Sequence, residues 1–440
     1  MISKIAMRIC LIIVPIIGIT CLIAMWIGSY MPTTRVTAYL YHLGMNKHTF
    51  GISDVNRRIS VYAPVPFESE WEVSFSPDGK RALMTLDFYS QTEFYMHNLA
   101  TNALTRFPLG YNTCAPPRET IRWSPNNHQV SFHCRPNTVS SALNGLHLWD
   151  TDNNSIQRMY TPSTLTIVPF TWSPTGDFIS LIDNGLIMLI NTRTGDNQRL
   201  PVVSSPYQLM QWSPNGDYIA LGAPDKLLLY NTKTHVITPA PLDNGAFSVL
   251  WSPNSQSLAM IVQDSGFFHV QMWDIVDNRQ YDIGSNRHPL NSVVDLRWSD
   301  DSQWIVVQED INQATRLARI LVASQDGTQT YHVVSDGRYP RWIPNRHMIT
   351  YHITQIERLR YGRDLVTVSL ENIQTGNIKP QVLVRDVLNY TWLNDGQLLS
   401  WRSIDRYGRI RALMLIPTGN DIGWSLFPVG YTVNAFAVWQ

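Results

Sequence analysis

Along most of the chain, apolar and aromatic residues come in short runs separated by clusters of Gly, Asn, Asp, Ser and Pro. That alternation predicts β-strands joined by tight turns. The interval around Trp212 carries the full layout. It opens on a hairpin, Gln211-Trp212-Ser213-Pro214-Asn215-Gly216, in which Pro presets φ and Gly supplies the positive φ that closes the turn. Strands follow over Tyr218–Gly222 and Lys226–Tyr230, then a polar corner at Asn231, then strands over His235–Thr238 and Phe247–Trp251.

The same hairpin recurs after Phe75, Trp123, Trp172, Trp251, Trp298, Trp342 and Trp392. Successive aromatic residues of the eight copies stand 48, 49, 40, 39, 47, 44 and 50 positions apart. A period near forty residues holding only strand signals means a radial or solenoid array. Four antiparallel strands per period define a propeller blade. The expected fold is therefore all-β, a single β-propeller of four-stranded blades over residues 36–440. The third strand often ends in a polar corner, as at Trp149-Asp150, Asn191, Asn231 and Trp273-Asp274.

These Trp-Ser-Pro-Asp/Asn-Gly hairpins resemble the repeats of TolB-type and WD40-like propellers, and the resemblance covers residues 36–440. Trp149-Asp150 and Trp273-Asp274 are similar to the WD dipeptide, but no Gly-His partner accompanies them, and the TolB-like branch fits better. The resemblance implies a propeller with a binding or scaffolding role; it names no ligand.

The chain ends suggest how the ring closes. Ala435–Trp439 resembles the first strand Ala246–Trp251, while Val36–Leu43, His48–Asp54 and Arg57–Tyr62 read as second, third and fourth strands. A final blade assembled from both termini makes nine blades. Eight blades with a C-terminal strand packed outside the ring is the alternative.

Ile9–Met31 is 23 residues without a charge, preceded by Lys4 and Arg8. About 20 apolar residues cross a bilayer as a helix, and the run exceeds the roughly 7–15-residue core of a cleaved signal peptide. The expectation is a cytoplasmic stub over 1–8, an uncleaved transmembrane anchor over 9–31 and an exported propeller, with a cleaved signal peptide as the alternative. Beyond Lys4, Arg8 and Arg35 the chain has 31 basic and 34 acidic residues, a balance that argues against nucleic acid as partner. Cys114 and Cys134 flank one blade's hairpin, and an oxidising compartment would allow a disulfide between them; two buried free thiols are the alternative. With His133 alone nearby they lack zinc-ligand spacing, and neither metal nor cofactor is expected.

The nucleophile-elbow pattern is missing, since Gly423-Trp424-Ser425-Leu426-Phe427 breaks it at the last position. A repeated tetrapeptide stands out instead. Arg360-Tyr361-Gly362-Arg363 and Arg406-Tyr407-Gly408-Arg409 fall between second and third strands of successive blades, with Arg358, Arg402, Arg338 and Tyr339 nearby. Guanidinium forks suit carboxylate and phosphate, and Tyr adds a stacking surface; solvated turns are the plain alternative. Asp264, Glu309 and Asp310, assigned to equivalent connections, are the candidates for an acidic funnel. The function expected is a non-catalytic binding or scaffold module for protein or cell-envelope components. A propeller hydrolase or lyase and a ligand-sensing subunit of a membrane complex are the alternatives.

Overall fold

The computed structural model describes the chain from Tyr39 to Ser425 except for short stretches, the longest being 135–142, 284–291 and 354–362; near both ends of that range it describes backbone alone. The expected anchor at 9–31 and closing strand at 435–439 lie outside the described residues. No helix among the described residues is long and apolar enough to cross a membrane.

The unit Ala38–Gln440 is all-β and propeller-like. Six antiparallel sheets, each of four consecutive strands, follow one another between Glu70 and Val334. A three-stranded sheet, Tyr39–Leu43, Thr49–Asp54 and Ile59–Pro64, precedes them. A seven-stranded sheet from Gly337 to Ser425 follows. In it the twelve-residue strand Gln381–Trp392 pairs with Arg363–Ser369 on one side and with Leu398–Ser403 on the other. It is the fourth strand of one blade and the first of the next. The physical reason is local: no Gly or Pro interrupts Gln381–Trp392, whereas Pro241 and Gly245 break the corresponding connection between Ile237–Pro239 and Ala246–Trp251.

Burial shows which edge of a blade faces water. Asn197–Arg199, a fourth strand, is exposed throughout, while the second strand Phe178–Asp183 is buried at five of its six positions. The core lies between blades. Ile187 and Leu189 of one sheet pack with Trp212, Ile219 and Leu221 of the next.

Each residue of the hairpin has a defined task. The Ser hydroxyl accepts the N–H five positions on, at 3.0 Å for Ser213 from Tyr218 and 2.9 Å for Ser252 from Ser257. It also donates to the turn's Asn, Ser213 to Asn215 at 2.7 Å and Ser252 to Asn254 at 2.7 Å. The left-handed position is Gly216 at φ 76° in one hairpin, but Ser255 at 62° and Ser302 at 63° in later ones. There the side chain compensates for the unfavourable φ: Ser255 accepts the Asn215 N–H and Ser302 the Asn254 N–H, both at 3.0 Å and both from the preceding hairpin.

The tryptophans bind each blade to the one before. Nε1 of Trp123 donates to the Ser74 carbonyl at 3.0 Å, Trp172 to Ser131 Oγ at 2.8 Å, and Trp212 to Ser180 Oγ at 2.9 Å. Trp251, Trp298 and Trp342 donate to the carbonyls of Gln211, Leu250 and Arg297, and Trp392 to Thr350 Oγ1. The polar corners are turn caps. Asp150, Asn191, Asn231 and Asp274 each accept the N–H groups two and three residues on. The aromatic residues Trp149 and Trp273 just before two of them donate to left-handed Asn154 and Asn278.

Candidate functional site

Three successive first strands, Ser292–Trp298, Gly337–Trp342 and the second half of Gln381–Trp392, carry a cluster of polar side chains. Arg297 and Arg341 occupy the position just before the repeat Trp, and Asp295 and Tyr339 the position three before it. Asp295 Oδ1 accepts from Arg297 Nε at 3.0 Å, and its Oδ2 pairs with Arg341 Nη1 of the following blade. Two guanidinium groups thus share one carboxylate. The Asp295 side chain is 16% exposed, Arg341 35% and Arg297 48%, so the surplus positive charge faces solvent.

Tyr339 sits at φ 55° in an irregularity between Arg338 and Arg341. A bulky residue in the left-handed region is uncommon and costs energy, so the surroundings must hold it there. They do: the Tyr339 N–H donates to Gln308 Oε1 at 2.6 Å, and its carbonyl accepts from the Tyr390 hydroxyl at 2.8 Å. Tyr339 as a whole is 46% exposed, and its ring stands edge-on to His352, centroids 6.1 Å apart, with the Tyr390 ring 5.1 Å from His352. Burial raises the Tyr390 phenol above its ordinary pKa, with Thr350 and Arg341 opposing and Asp295 adding to the shift; it remains a proton donor to the Tyr339 carbonyl. Gln308 is fully buried, and its Nε2 has no hydrogen-bond partner among the described residues.

Of the candidates read from the sequence, Tyr339 belongs to this cluster, and Arg338 precedes it on the same strand, opposite His352 in the register. Arg358, Arg360, Tyr361, Arg406, Tyr407 and Arg409 lie outside the described residues. Arg363 and Arg402 lie in strands, and the register places both opposite Val387 on the shared strand, one on each side. Arg363 therefore opens the third strand and does not lie in a connection. The acids are also on strands: Asp264 ends Ser257–Asp264, and Glu309 and Asp310 fall within Trp304–Asn312. The hairpins of these two blades run further than the six-residue strands Phe178–Asp183 and Tyr218–Ala223, which turns expected loop positions into strand positions. Glu309 is 3% exposed and ion-paired with Arg319, its cross-strand neighbour. Cys114 and Cys134, both buried, are joined as a disulfide with Cα atoms 5.3 Å apart. Among the described residues no group of His, Cys, Asp and Glu is arranged to hold a metal ion.

The sequence reading missed Asp295, Arg297, Arg341, Gln308, His352 and Tyr390. One signal was available. Aligning the repeats on Trp298 and Trp342 puts both arginines at one position and Asp295 two residues away, on the same side of a strand.

No family model matches the chain, and no curated protein is significantly similar to it. Solved structures share its fold. A eukaryotic initiation factor aligns over 92% of this chain and 97% of its own, with a TM-score of 0.63 at 13% identity. Porphyromonas gingivalis dipeptidyl peptidase 4 aligns over 80% of this chain and 59% of its own, with a TM-score of 0.54 at 11% identity; this chain spans about three-fifths of that enzyme. TolB from Acinetobacter baumannii aligns over 64% of this chain and 75% of its own at 11% identity, and its TM-score of 0.34 is too low to carry an argument. At such identities a likeness speaks for the fold alone, and the fold it speaks for is an all-β, propeller-like one.

Proposed function

We propose that this protein is a membrane-anchored, extracytoplasmic propeller that binds protein or cell-envelope components without catalysing a reaction. The observation that carries the reading is the cluster at Tyr339. An exposed tyrosine and two partly exposed guanidinium groups are fixed there by neighbouring blades, and such fixed donors serve recognition. The pairing of Glu309 with Arg319 weighs against Glu309 as an acid catalyst, since a carboxylate held by a guanidinium stays ionised. A buried disulfide supports an oxidising compartment. The three-stranded sheet at Tyr39–Pro64 supports a ninth blade that takes its missing strand from the C-terminus.

The test is a photo-crosslinking residue placed at 339 or, as a comparison, at exposed Val276 (71%) in intact cells making the full chain. Discrete adducts with envelope proteins or other envelope material are expected at 339 and not at 276. Identical adducts at both positions, or none at 339, would overturn the binding face. External protease should digest residues 36–440 in spheroplasts; full protection, with an exposed control cleaved, would overturn the orientation.

A further inference from the structure

We propose that the cluster around Tyr339 recognises a carboxylate carried next to a flat apolar group. This rests on the binding reading above and names its chemistry.

The donors come first. Gln308 Oε1 is committed to the Tyr339 N–H, which fixes the amide orientation and leaves Nε2, with two N–H groups, unpartnered among the described residues. A buried amide nitrogen is not left without an acceptor at no cost. Gln308 lies on the second strand Trp304–Asn312, opposite Asp295 in the register, and Arg297 and Arg341 have that one carboxylate between them. Each guanidinium carries five N–H donors in a planar fork; Arg341 Nη1 also donates to the Pro340 carbonyl at 2.7 Å, and that carbonyl and Asp295 together cannot use them all. The arrangement is rich in donors and short of acceptors. A carboxylate supplies acceptors to the partly exposed guanidinium edges with the matching planar geometry.

The flat group follows from Tyr339. If the chain needed only a left-handed residue here, Gly would supply it without strain. A tyrosine is held at φ 55° instead, tied at its N–H by Gln308 and at its carbonyl by Tyr390, and the outcome is an exposed tyrosine (46%) on the strand that carries Arg341, its ring edge-on to His352. Strain of this kind accumulates where the side chain is used, and an aromatic face prefers a flat apolar partner.

The test uses the full chain in detergent and ligand-observed saturation-transfer NMR. Benzoate is the probe; benzamide, acetate and inorganic phosphate are the comparison arms. Benzoate should bind saturably and each of the others at least about ten-fold more weakly, the scale of one charge-assisted hydrogen bond. Gln308→Glu keeps an acceptor for the Tyr339 N–H but sets a second carboxylate opposite Asp295 to compete for the two guanidinium groups, and should weaken benzoate about ten-fold or more. Tyr339→Gly relaxes the backbone, so its unfolding midpoint should hold or rise while benzoate binding falls. That split is not expected of a purely structural tyrosine. Phosphate or benzamide binding as tightly as benzoate, or both variants retaining full affinity, would overturn the proposal. Absence of benzoate binding with crosslinks persisting at 339 would sink the carboxylate inference and leave the binding module standing.

Discussion

Replacing Trp212 by Ala tests the inter-blade architecture at its most regular point. Trp212 is 8% exposed and packs on Ile182, Ile187 and Leu189 of the preceding blade and on Ile219 and Leu221 of its own. Truncating a buried Trp costs about 3–5 kcal/mol. Ser180 Oγ loses the indole donor at 2.9 Å but still lies 3.5 Å from the Thr171 carbonyl, which adds about 1 kcal/mol at most. With an unfolding entropy of about 2.1 cal/mol/K per residue, a cooperative unit of about 400 residues yields roughly 0.8 kcal/mol/K, so 4 kcal/mol lowers the midpoint by about 5 °C. If two blades of about 90 residues unfold on their own, the same loss shifts their transition by about 20 °C. Calorimetry therefore reads both the strength of the contact and the size of the cooperative unit. Trp212→Phe, which keeps most of the apolar contact and removes the donor, should cost about 1 kcal/mol, and a double-mutant cycle with Ser180→Ala should return a coupling of similar size. An unchanged midpoint for Trp212→Ala, or a coupling of zero, would refute the reasoning.

The Cys114–Cys134 disulfide closes a loop with a sequence separation of 20, so the double change to Ala should lower stability by about 3 kcal/mol in denaturant titration; no change would mean that the bond does not form. Burial holds the His147 imidazole down at about 4, helped by Arg158 and His133 and opposed by the Gly145 carbonyl. The unfolded chain takes up this proton near pH 6.5 and the folded chain only near 4, so stability should fall by about 3 kcal/mol as the pH drops through that window. His147→Gln should flatten that part of the midpoint-versus-pH curve, and an unaltered slope would clear His147 of the effect. If the C-terminal strand completes a ninth blade with the three-stranded sheet at Tyr39–Pro64, truncation after Tyr431 should lower the midpoint and promote association by opening that sheet; a monomer with an unchanged midpoint would favour eight blades and a free tail.

Much of the fold was legible because the turn chemistry is local. Ser213, Pro214, Asn215 and Gly216 determine each other's geometry within a few residues, so the motif can be read wherever it stands. The short helix Leu370–Gln374 stands where other blades have a polar corner, and its signals are Ser369 as N-cap and Gly376 at φ 73° after its end. Five residues are too few for a helical period to show. In the shared strand Gln381–Trp392 no Gly or Pro marks where one blade's last strand passes into the next blade's first. The site was the least legible part. Arg341 reaches Asp295 across 46 residues, and neither position is unusual within its own strand. Only the blade-to-blade register brings them together, and that register is tertiary.

The indole bonds all point one way. Each repeat Trp from Trp123 to Trp392 gives its N–H to the blade before it, and Phe75, in the first copy, has none to give. On a ribosome the acceptor has therefore been synthesised before its donor emerges, so each new blade meets a finished surface, in keeping with N-terminal-first folding. Four of the seven acceptors are main-chain carbonyls, present whatever the residue. A duplicated blade would bring its own donor and find an acceptor in any predecessor, so whole units can be gained or lost without rewriting the neighbours.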